Sequence, residues 1–296
     1  MTTVTTEKPT ATKNVGPTPG SKRLGSVRLY LGALIVLVWG LGPFYWMAVT
    51  AFRDPDYTFD NTPWPTHITF ENFRNAFDTS RGNDFGKALL NSVIIGAVTT
   101  AVALVLGVLA AYALARLTFK GKYLVSGLIL SASMFPVVVL VTPLFQLFTN
   151  LGWIGEYQAM IIPNISFVLP MTVYILASFF AELPWELEEA ARIDGATKTQ
   201  AFRLVMLPLA APAVFTTAIL AFIASVNEYL LARLLSGDKT EPVTVAIARF
   251  SGNNPLVQPY AAIMAAGTMV TIPLVIMVLL FQRRIISGLT AGGVKS

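Results

Sequence analysis

The sequence predicts an all-α fold: a polytopic membrane helical bundle of six transmembrane helices with one long two-helix loop on the cytoplasmic side. Three observations lead there. Apolar residues make up 54% of the 296 positions and charged residues 12%, about half the roughly 25% charge of a soluble domain, and the mean hydropathy is +0.64. Six apolar runs reach the ~20 residues that a helix rising 1.5 Å per residue needs to cross ~30 Å of hydrocarbon. Segments on alternate sides of these runs carry unequal shares of Lys and Arg. Placing the N-terminus inside puts roughly twice as many of the 21 basic residues on inner segments as on outer ones, the bias expected of cytoplasmic loops. The net charge of +5 is therefore a topology signal, and no basic patch suited to nucleic acid is present. With no cysteine and a single histidine, His67, a disulfide framework, a Cys/His metal cluster and a thiol–imidazole nucleophile are excluded. No metal site is expected.

Taken in order, residues 1–25 are rich in Thr, Pro, Gly and Lys with almost nothing apolar. They predict a disordered cytoplasmic tail, and they precede the first apolar run by too much for a secretory signal. The membrane domain, 26–284, holds spans at about 27–50, 88–114, 123–148, 157–180, 211–233 and 260–282. Pro136, Pro143, Pro163, Pro170 and Pro273 fall inside these runs, where neighbouring helices can re-satisfy the carbonyls they free. Small residues (Gly96, Ala103, Gly107, Ala110, Ala111 in the second span; Ala261, Ala262, Ala265, Ala266, Gly267 in the sixth) suit close helix packing in lipid. The first outer loop, 51–87, is acidic and places Phe70, Phe73 and Phe77 at helical spacing, predicting a short surface helix with room for a docking partner. The second, 234–259, contains the turn formers Ser251-Gly252-Asn253-Asn254-Pro255. Residues 285–296 form a cytoplasmic C-terminal tail.

The loop at 181–210 carries its own start and stop signals. Pro184 suits a first helical turn. Glu186, Glu188 and Glu189 put negative charge at the positive end of the dipole, and Asp194-Gly195 supplies a stop. Thr197 and Gln200 have the three-residue offset of a capping box. The second helix runs through Phe202 and Val205 and is expected to end or kink near Pro208. Two short helices on a glycine turn make a rigid knob.

Glu189-Ala190-Ala191-Arg192-Ile193-Asp194-Gly195-Ala196, continued by Phe202, Val205, Leu207 and Pro208, resembles the EAA motif of permease subunits of ABC-type importers. The resemblance implies that the knob is a coupling loop seated in a cleft of a separate ATPase chain. It assigns the coupling role to Glu189, Ala190, Ala191, Asp194, Gly195, Ala196, Phe202, Leu207 and Pro208. The small alanines allow close approach, Gly195 the turn, and Phe202 and Leu207 the anchorage. The tail Gly288-Leu289-Thr290-Ala291-Gly292-Gly293-Val294-Lys295 resembles the terminus of the maltose-type carbohydrate branch, which implies an α-glucoside such as maltose, maltodextrin or trehalose as cargo. It also implies a second, non-identical permease, two ABC ATPase subunits and an extracytoplasmic sugar-binding protein, in a bacterial cytoplasmic membrane with both termini inside. No G-x-x-x-x-G-K-[ST] occurs, so this chain has no P-loop and is expected not to be an enzyme. ATP and Mg belong on the partner chains, and no cofactor is expected here.

Glu228, in Ser225-Val226-Asn227-Glu228-Tyr229, is the exceptional carboxylate of the spans and a functional candidate on energetic grounds. Asn227-Glu228 resembles an Asn-acid pair in the fifth span of carbohydrate permeases, which suggests substrate contact or gating. Structural hydrogen bonding is the favoured reading of this residue, and its position near the outer end of the span would also let it snorkel to water. Asn164, Tyr174 and Gln146 are further candidates for hydroxyl recognition. The alternative class is an ion-coupled secondary transporter for a small polar solute, which would need more intramembrane carboxylates and paired broken helices. An intramembrane enzyme lacks its nucleophile and base.

Overall fold

The computed structural model describes residues 19–250 and 258–290; the turn formers at 251–255 and the tail from residue 291 lie outside them. The chain divides into two compact units, residues 1–47 and 48–296. The first carries most of α1 (Pro19–Ala51). The described part of the helix runs from Pro19, ahead of the expected tail boundary at residue 25. From Leu29 to Trp46 the apolar side chains stand exposed, Val36 and Trp39 among them. Such a surface suits lipid or another hydrophobic helix rather than water.

The second unit begins with a short connecting segment containing α2 (Glu71–Ala76), as the Phe70/Phe73/Phe77 spacing predicts. Phe52 packs on Phe70 and Phe73, with ring centroids 5.5 and 4.9 Å away. The fully buried Arg53 donates to the carbonyls of Asp60 and Thr62. There follow α3 (Phe85–Arg116), α4 (Lys122–Ser133), α5 (Val137–Asn150), α6 (Tyr157–Glu182), α7 (Trp185–Ile193), α8 (Lys198–Ala201), α9 (Leu207–Val226), α10 (Leu230–Leu235), α11 (Val243–Ala248) and α12 (Tyr260–Thr290). An isolated bridge between Arg53 and Ile68 is the nearest approach to a sheet among the described residues.

Among the described residues five helices are long and apolar enough to cross a membrane, six if α4 and α5, bent by 86°, form one broken span. The expected continuous helix over 123–148 is thus two. Pro136 has no N–H to donate and holds Phe135 out of the helical region, so the break falls there. The span expected at 211–233 is also redrawn. It starts at Leu207 and stops at Val226, because Asn227 caps it and Glu228 opens α10.

The core lies where α3, α6 and α9 pack on one another. Gly107 marks the tightest approach: a Cβ there would sit 2.5 Å from Cγ2 of Thr172 on α6, so only a residue without one lets the helices meet. Ala111, Leu176, Phe180, Met206, Ala210 and Ala213 are fully buried at one end of this contact. Ala262 and Ala266 of α12 pack with Phe85, Ala88 and Val243 at another. Both small-residue faces are packing faces.

Candidate functional site

The 185–206 knob is built by local capping. Glu186 and Glu188 stand in the first turn of α7. At its other end Gly195 donates to the Arg192 carbonyl (3.1 Å) and Ala196 to that of Ala191 (3.0 Å), the paired bonds of a Schellman cap. This cap puts Gly195 at φ +90°, a conformation that costs a residue with a side chain about 1–2 kcal/mol. Thr197 and Gln200 complete the capping box, Gln200 N–H to Thr197 Oγ1 at 3.3 Å and Thr197 N–H to Gln200 Oε1 at 2.8 Å. Only Ala196 separates the two caps, so the elbow between α7 and α8 has almost no freedom.

Pro208 does not end the second helix. α8 widens into a π-turn over Phe202–Met206, with Leu207 N–H bonded back to Phe202, and passes directly into α9. The extra residue in that turn absorbs the carbonyl partner that Pro208 cannot supply. The knob is therefore continuous with a membrane-spanning helix.

Its faces differ. Glu189, Ala190, Asp194, Gly195 and Pro208 are exposed, Ala191 and Ala196 half-buried. Phe202 and Leu207 pack against the buried set that contains Val108, Ala111, Leu176 and Phe180, which is where anchors belong. Sequence reasoning missed the apolar residues left outside: Ile193 is 85% and Leu204 72% exposed. It also missed what holds α7 from behind. Tyr112, near the end of α3, donates to Glu188 Oε1 (2.8 Å) and packs its ring against that of Phe202, tilted by 50° with centroids 4.5 Å apart. One turn on, Arg116 donates to the Leu183 carbonyl and lies 4.5 Å over the Trp185 ring. The available signal was the Tyr112/Arg116 spacing of four at the end of an apolar span.

A second site is an open cleft on the bundle. A cavity of about 450 Å³ between α6 and α9 is lined by Asn164, Phe167, Met171, Thr217, Asn227, Glu228 and Tyr229, among others. Three of the expected polar residues, Asn164, Asn227 and Glu228, thus meet in one place, with Asn164 buried. Tyr174 lines a separate space of about 660 Å³ with Lys122, Ser126 and Ser178, and Gln146 is exposed on α5. Glu228 is committed: Oε1 accepts from Leu231 N–H (2.8 Å) and Oε2 from Ala232 N–H (2.9 Å), closing the first turn of α10 as an acidic cap does. A carboxylate so occupied is a poor carrier for a coupling ion. Among the described residues no group of His, Cys, Asp or Glu could hold a metal.

Residues 103–290 match the model of the binding-protein-dependent transport system inner membrane component. The chain belongs to that family. This permease is 45% identical to the trehalose transport system permease protein SugB of Mycobacterium tuberculosis, over 88% of its own length and 94% of the relative's. It is 42% identical to the trehalose/maltose transport system permease protein MalG of Thermococcus litoralis, over 92% and 98%. Its fold matches a chain in the crystal structure of a bacterial ABC transporter involved in the import of the acidic polysaccharide alginate, with a TM-score of 0.72 and 21% identity over 90% and 98%. The permease is an inner membrane component of a binding-protein-dependent transport system rather than an enzyme.

Proposed function

We propose that this permease imports an α-linked disaccharide of the trehalose or maltose class, driven by ATPase chains that seat on the 185–206 knob. One observation carries the coupling half. The knob is capped so tightly that it moves as a body, it runs unbroken into α9, and it presents bare Ile193 and Leu204 beside Glu189 and Asp194. An apolar anchor ringed by charge suits a protein cleft, and a push on it reaches the bundle directly. The cargo half rests on the relatives' names together with the α6/α9 cavity. Its Asn164 and Asn227 amides and its Phe167 and Tyr229 rings supply the hydroxyl partners and apolar faces that a neutral sugar needs.

The working assembly is this permease, a second non-identical permease, two ATPase subunits holding ATP and Mg, and an extracytoplasmic sugar-binding protein, with the knob and both termini on the cytoplasmic side. The test is uptake by the complete complex in vesicles. Labelled trehalose or maltose accumulates with ATP and is indifferent to ionophores. Uptake that collapses with ionophores, or a tagged permease that purifies without an ATPase chain, overturns the reading.

A further inference from the structure

Arg116 is buried, 4% exposed, yet its guanidinium uses only the Leu183 carbonyl and the Trp185 ring. Its Nε and Nη1 are buried and without partners. Glu188 repeats the pattern with opposite charge, Oε1 taking the Tyr112 hydroxyl while Oε2 is buried and unpartnered. Buried donors and acceptors in proteins are overwhelmingly paired, and an unpaired charged one is costly. Two such groups of opposite sign belong to one small contact between α3 and α7, where Glu188 meets Tyr112 and Arg116 meets Trp185. Tyr112 and Arg116 are four apart on α3, Trp185 and Glu188 three apart on α7, so both pairs lie on facing helix surfaces.

We propose that Arg116 and Glu188 are a positioning pair that closes into an ion pair in the other state of the transport cycle, when the knob shifts against α3. The proposal rests on the coupling role given to the knob above. In the state seen here Arg116 is held off by Trp185 and the Leu183 carbonyl, and Glu188 by Tyr112. A small roll of α7 about its Tyr112 hydrogen bond exchanges the carbonyl for the carboxylate and satisfies both groups at once. Because the two arrangements use different partners, the contact is bistable and not elastic. That is what converts a small displacement at an ATPase surface into a definite change at a membrane helix. Tyr112 stays bonded throughout and acts as the pivot.

The experiment uses the full complex in proteoliposomes and reads sugar moved per ATP hydrolysed, with retention of the ATPase chains read by co-purification. Glu188→Gln keeps an oxygen for Tyr112 and removes the charge. It is expected to retain the ATPase chains and hydrolysis but to lower the sugar-to-ATP ratio about tenfold, within the range of typical coupling energies. Arg116→Met lowers it similarly, and the double variant Arg116→Met with Glu188→Gln loses no more than either single, as members of one pair do. A Glu188→Gln complex with the wild-type ratio overturns the pair. Should a single variant shed its ATPase chains, the double variant decides: a loss of assembly and ratio no greater than the single's supports the pair, and additive losses overturn it. A wild-type complex without ATP-driven uptake strikes the transport reading instead, so the two failures are distinguishable.

Discussion

The two ends of α9 are fastened in opposite ways. Where it leaves the knob, its approach is a π-turn, the side chains behind it include unpaired Arg116 and Glu188 atoms, and Ile193 and Leu204 stand bare. Where it stops at Val226, the following segment is riveted. Glu228 holds two amides of α10, and Thr240 Oγ1 donates to the Gly155 carbonyl (2.9 Å). Val243 N–H donates to Ser92 Oγ (2.8 Å). Asn91 ties the strip 239–241 to α3 through the Lys239 and Glu241 carbonyls, and Tyr157 O–H donates to Asn91 Oδ1 (2.7 Å). Bonds spanning ~150 residues of sequence make one end a fixed frame, and their scarcity at the other end makes it the end that can be moved.

The largest expected effect breaks the moving end. Gly195→Val forces a β-branched residue to φ +90°, a strain of about 1–3 kcal/mol, and dissolves the Schellman cap that fixes the elbow. Nothing of this chain lies within 4 Å of the position, so within the permease the damage comes from backbone conformation and not from a clash. Uptake and its ATP coupling should both be lost while the bundle stays folded. Gly195→Asn, which tolerates the left-handed region better, should keep part of both. Equal losses for Val and Asn would remove the conformational explanation.

Asn91→Ala breaks the fixed end. It strips a buried side chain from two carbonyls and leaves the Tyr157 hydroxyl unanswered, for a cost of about 2–3 kcal/mol. The expected result is a lower melting temperature of the detergent-solubilised complex with an unchanged sugar-to-ATP ratio in what survives. A changed ratio with unchanged melting would mean that this end moves too. Glu228→Ala is milder, the loss of a helix cap at about 1 kcal/mol. Since both carboxylate oxygens are already engaged, stability should fall slightly while the KM for sugar holds. A raised KM with intact stability would make Glu228 a substrate contact after all.

Much of this contrast was legible in the sequence, and the illegible part has a common cause. Capping is local: Thr197 with Gln200, or Asp194 with Gly195, declares itself within a few positions, so the knob's elbow could be read directly. The bundle's packing faces were legible for the same reason, since Gly107 and Ala111 share a helix face by spacing alone. Pro208 announced an end or a kink without saying which, because a proline's consequence depends on whether the preceding turn can widen, as Phe202–Met206 does. Glu228 could not be decided because its partners, Leu231 and Ala232 N–H, exist only if α9 stops at Val226. The Tyr112–Glu188 and Arg116–Trp185 contacts join positions about 70 residues apart in sequence, and no periodicity reports such a pairing. Buried charge at a helix end looks, in sequence, like one more residue of the positive-inside count.

The smallest effect sharpens the contrast at the segment before α2. Asp60 is held below its ordinary value of 3.8 chiefly by the Thr62 hydroxyl, then by the Thr62 amide, the Thr66 hydroxyl and the Arg53 charge, with partial desolvation opposing them. Its hydrogen bonds run from Thr62 Oγ1 at 2.9 Å and Thr66 Oγ1 at 3.1 Å. A folded pKa below the unfolded one means that the carboxylate's contribution is complete above 3.8 and is lost as pH falls through the lower folded value. Hydrogen exchange at Thr62 and the neighbouring amides should therefore be constant from neutral pH down to about that point, after correction for intrinsic rates, and then accelerate. Asp60→Asn should abolish the acid step, since the amide does not titrate there, while exchange around Gly195 is unaffected. An acid step that survives in Asp60→Asn would remove Asp60 as its source.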